Sequence, residues 1–126
     1  MRVLGIDPGP TTHGAVLYDT VERRVVWSSK AATRTDLYEL VDASGSAGLL
    51  AHTMTRREVL RHLGVLSGKG APDSRVRAAC IADHQTPGGM PAVGRKGSPG
   101  PLYGVSSHAW QALGLVLAFL NKGNQQ

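Results

Sequence analysis

The chain has 126 residues, 41% of them hydrophobic and 18% charged, enough apolar material for one compact domain over residues 1–126. Its single cysteine, Cys80, excludes an internal disulfide and reads as a small buried apolar residue in a reducing cytosol. The formal net charge of +5 is uneven: residues 1–50 carry five basic and six acidic side chains and residues 51–126 nine and three, which suits either a polyanionic partner or a generic basic surface.

Val3 to Ile6 is a short apolar run stopped by Asp7-Pro8-Gly9-Pro10, which predicts a strand ending in a turn. Gly14 to Tyr18 and Val25 to Trp27 are two more such runs, so the chain is expected to open as a three-strand antiparallel meander. Thr35 or Asp36 is expected to cap a short helix through Val41. Ala43 to Gly48 reads as a loop, and Leu49 to Thr55 as a further strand. A helix is predicted over Arg56–Leu63, ended by Gly64. Another is predicted from Arg75 to about Asp83, capped by Asp73 or Ser74. Residues 85–101 form a Pro/Gly-rich loop carrying Arg95 and Lys96. Ser106 or Ser107 caps a last helix, His108 to Leu120, apolar nearly all round and so buried, before a polar tail at 121–126. The opening run is too short for a signal peptide, and Ala112–Leu120 falls well below the roughly 20 residues that span a bilayer. A soluble, cytoplasmic protein with no membrane partner is expected.

The most informative stretch is Leu4 to Gly14. An acid closing an apolar strand is costly to bury unless a cation offsets it, and Mg²⁺ prefers carboxylate oxygen. The glycines that follow let an anionic ligand approach the backbone. The competing reading of Asp7-Pro8-Gly9 is a plain turn. His108, at a helix start, is a candidate metal ligand or general base, since imidazole titrates near neutral pH, or else a capping or packing residue. Trp110 reads as core rather than a stacking platform. His13, His52, His62 and His84 show no ligand spacing and read as surface. Arg56, Arg57 and Arg61 fall within about one and a half helical turns, while Arg75 and Arg77 are placed in a first turn, where an acid would match the helix dipole. Cations there suggest an external anion; the alternative is a solvated face.

Gly5 to Gly9, Gly-Ile-Asp-Pro-Gly, resembles the opening of the RuvC-like Holliday junction resolvases of the ribonuclease-H-like superfamily. A similar strand and turn opens the sugar-kinase and actin-like ATPases. The later segments around Arg56–Leu63, Lys69–Ala79 and Gly97–Gly104, in that order, resemble a phage and prophage branch of the resolvases. The ATPases also need a second large domain for which this chain has no room.

The resemblance implies an α/β, ribonuclease-H-like fold, a mixed sheet with an antiparallel three-strand start and flanking helices. It implies a crossover junction endodeoxyribonuclease using Mg²⁺ or Mn²⁺ on branched DNA, as a homodimer. Asp7 and His108 then fall on ligand positions, while Gln111 occupies a place where an acid is usual. The family's fourth-strand Glu has no clear counterpart, with Glu39 a poor substitute as a catalytic acid, so the chain looks shortened in the middle. Arg56, Arg57, Arg61, Lys69, Arg75, Arg77, Arg95 and Lys96 are the expected DNA contacts. An incomplete site leaves a second expectation, a degenerate protein that holds junctions without cutting.

Overall fold

The structure is a computed structural model and describes residues 1–43, 53–85, 88, 89 and 91–124. Three strands, β1 (Arg2–Asp7), β2 (His13–Asp19) and β3 (Arg24–Ala32), form an antiparallel sheet in the order β1-β2-β3, the expected meander. Register pairs Gly5 with Val16 and Asp7 with Gly14. The β2–β3 turn is held by Asp19 Oδ1, which accepts from the Val21 and Glu22 backbone N–H groups at 2.9 Å. Arg23 reaches from that turn to the Asp83 carboxylate at 2.7 Å.

Side chains alternate across a strand, so the sheet has two distinct faces. Val16 and Tyr18, with Val3 and Val25, belong to the main core, built with Val76, Cys80, Trp110, Leu113 and Val116 from the helices. The other face buries Ala15 and Ala32 under Leu37, flanked by Ile6 and Trp27. Leu37 belongs to α1 (Arg34–Ala43), which starts earlier than expected. Thr33 caps it: Thr33 Oγ1 accepts from the Asp36 N–H at 3.1 Å, and Asp36 Oδ2 accepts from the Thr33 N–H at 2.8 Å.

The chain continues as α2 (Arg56–His62), with a capping box from Thr55 and Glu58, and ends at Gly64 with φ 75°. Next comes α3 (Pro72–His84). Most of the expected Leu49–Thr55 strand lies outside the described residues, and 53–55 carry no regular structure. A two-residue hairpin, β4 (Gly94–Arg95) and β5 (Ser98–Pro99), stands within the Pro/Gly-rich segment. The last helix, α4 (Ala109–Asn124), continues through most of the predicted polar tail. Among the described residues the fold is α/β, with one wholly antiparallel three-strand sheet, the hairpin and four helices; the parallel strands of a mixed sheet are not among them. No helix of the described residues is long and apolar enough to cross a membrane.

Two glycines seat α4 on the sheet. A Cβ on Gly5 would meet the Ala112 carbonyl and Val116, and one on Gly14 would meet the His108 backbone. Backbone thus approaches backbone without intervening side chains. On the far side of α4, a Cβ on Gly114 would strike Val76 of α3.

Candidate functional site

Asp7 is the last residue of β1, and its register partner Gly14 lies against the His108 backbone. That contact carries His108 to Asp7: His108 Nδ1 stands 3.5 Å from Asp7 Oδ2. The carboxylate is one-third exposed and the imidazole 71% exposed. The turn after Asp7 is tied down by the Gly9 N–H, which donates to His13 Nδ1 at 3.0 Å. His13, read from sequence as surface, therefore organises the loop beside the acid. Its spacing of four from Gly9 was the available signal.

His108 also lines a cleft of about 600 Å³ between the starts of α3 and α4. From α3 the cleft takes Asp73, Ser74 and Arg77; from the other wall it takes Ser106, Ser107 and Gln111, with Trp110 at its side. Ser107 holds a left-handed backbone, φ 48°, where the chain turns into α4. Gln111 is one turn beyond His108, and its Nε2 donates to the Asp73 carbonyl at 3.3 Å. The sequence offers the three serines only as helix-cap candidates, because only the approach of α3 to α4 brings them into one cleft. Trp110 is buried, as expected, and carries the Arg77 guanidinium 5.4 Å from its ring centroid.

No family model, curated protein or solved structure matches this chain.

The structure sorts the expected cations. Arg75 is not in a first turn, because α3 begins at Pro72, and Asp73 supplies the dipole-matched acid there. Its guanidinium instead folds back on the α2–α3 loop, donating to the carbonyls of Val65 at 3.1 Å and Gly70 at 2.8 Å, with longer bonds to Leu66 and Gly68 at 3.4 Å. Arg56 is ion-paired with Asp73. Arg57, Arg61 and Lys69 are exposed on α2 and the following loop, and Arg95 and Lys96 on the β4–β5 hairpin.

Glu39 is not brought to the site. It lies on α1, which Leu37 docks against the sheet face opposite the one that Gly5 and Gly14 present to α4. Two Mg²⁺ ions about 4 Å apart need several carboxylates around them. Among the described residues no group of three His, Cys, Asp or Glu side chains is placed to hold a metal. Asp7 and His108 form a pair with no second acid beside them among the described residues, which do not fit a two-metal centre.

His84, predicted as surface, is buried in the core. The Tyr18 hydroxyl lies 2.6 Å from its Nε2, and its Nδ1 lies 2.9 Å from the Cys80 carbonyl. A carbonyl only accepts, so Nδ1 carries the proton and Nε2 accepts from Tyr18. Burial holds the His84 pKa below its usual value and raises that of Tyr18, and it pushes the Cys80 thiol up to about 12.

Proposed function

We propose that the protein is a RuvC-related domain of ribonuclease-H-like ancestry that binds branched or structured DNA through backbone phosphates, and whose described residues do not supply the acids to cut it by a two-metal route. The observation that carries this reading is the Asp7–His108 pair, which α4 holds at the end of β1 beside a cleft containing Arg77, with Glu39 on the other side of the sheet. An acid at the end of a strand facing His108 at the start of α4 supports this reading, and among the described residues no third His, Cys, Asp or Glu side chain joins them as a metal group. Exposed cations on α2, the α2–α3 loop and the hairpin supply contacts that position a duplex without reading its sequence.

One observation favours cleavage as a second reading. Asp7 faces His108 Nδ1, an arrangement that orients an imidazole and leaves Nε2 available as a general base. A labelled four-way junction separates the two readings. Retardation in a gel, with strands intact in both Mg²⁺ and Mn²⁺, is the expected result. Nicking that requires a divalent metal and disappears in Asp7→Asn would establish the second reading instead.

A further inference from the structure

We infer that the cleft between α3 and α4 is a binding site for a phosphate oxyanion, held by the Arg77 guanidinium and the serine hydroxyls around it. Each of three other arginines has its donors committed: Arg23 to Asp83, Arg56 to Asp73 and Arg75 to backbone carbonyls. The Arg77 side chain makes no ion pair or hydrogen bond with any described residue. It is nevertheless not adrift, because it rests on the face of Trp110, whose ring is fixed in the core. A guanidinium held over an aromatic ring keeps its in-plane N–H fork open for a ligand.

The walls of the cleft suit a tetrahedral anion. Ser74, Ser106 and Ser107 add three hydroxyl donors, and His108 is available as a fourth group. A carboxylate has only two oxygens, both of which the guanidinium fork would occupy. A phosphate has further oxygens for the serines. The one acid in the cleft, Asp73, is neutralised by Arg56 from outside it, which mutes its repulsion of an incoming anion.

The natural source of the phosphate is a DNA backbone phosphodiester if the reading above holds, and a free phosphate or phosphomonoester if it does not. The test titrates inorganic phosphate into the full-length ¹⁵N-labelled chain at constant ionic strength, with chloride as the control. The indole N–H resonances of Trp27 and Trp110 are told apart with Trp27→Phe. Trp110 should shift saturably and Trp27 should not. Arg77→Gln, at an exposed position, should weaken phosphate binding about tenfold or more, as expected for losing charge-assisted bonds, with part of it restored in Arg77→Lys. Junction retardation is then measured with the same variants. A parallel loss in Arg77→Gln supports the site and assigns the phosphate to DNA. Phosphate binding with undiminished junction affinity supports the site with a free phosphate or phosphomonoester as its ligand. No saturable Trp110 shift, or an equal shift in Arg77→Gln, overturns the inference, and junction retardation persisting in that case leaves the DNA reading standing.

Discussion

His84 shows how one buried side chain couples stability to pH. Desolvation lowers its folded pKa below the unfolded value of about 6.5. The unfolded chain therefore binds the extra proton first. The stability that comes from keeping His84 neutral is fully present above pH 6.5 and is lost as pH falls through the folded pKa. Urea denaturation between pH 8 and pH 5 should show this loss, and His84→Gln should have a flatter profile over that window. An identical slope in the variant would assign the acid sensitivity to other groups. Tyr18→Phe leaves the buried Nε2 without its donor and should cost about 1–3 kcal/mol at pH 8. At the proposed site, Gln111→Asp places a carboxylate one helical turn from His108. It should raise Mn²⁺ affinity, measured by calorimetry, above that of the parent chain.

At the scale of elements, the juncture that matters is α4 on β1 and β2. Gly14→Ala would drive a methyl group into the His108 backbone, so the start of α4 must move. Destabilisation of about 1–3 kcal/mol is expected, with the Asp7–His108 contact broken. Gly123→Ala is the matched control. It lies in the same helix with nothing within 4 Å of the added atom, and should stabilise by about 0.5–1 kcal/mol through helix propensity alone. Equal effects from the two substitutions would mean that α4 does not rest on the sheet at Gly14.

For the whole molecule, the charge on residues 51–126 divides into cations that hold the fold and cations that face outward. Each phosphate neutralised contributes about −0.9 to the slope of log affinity against log salt. Replacing Arg57 and Arg61 together by Ala should flatten the slope for junction DNA by up to about two contacts' worth while leaving the melting temperature near that of the parent. Arg75→Ala should do the reverse, lowering the melting temperature with little change of slope, because its bonds go to the chain's own carbonyls. A slope that is the same in the double variant would place the DNA elsewhere or show that DNA is not the partner.

The sequence by itself determined what short-range rules control. Alternating apolar runs broken by Asp, Pro and Gly specify the meander, and Gly64 marks the end of α2, because these signals act within a few residues. Asp7 was legible as the acid of the first strand, and Gly14 as a point of close approach. Only the tertiary structure decided what those positions meet. Arg75 and Arg77 look equivalent in the sequence, yet one ties down a loop and the other rests on Trp110, because α3 starts three residues earlier than its cap residues suggested. His84 reads as a polar surface residue until Tyr18, 66 positions away, supplies the partner that makes its burial tolerable. Glu39 was a candidate acid only while its helix could lie on either face of the sheet. The packing of Leu37 on Ala15 and Ala32 settled the face, since alternation along a strand sends neighbouring side chains to opposite sides.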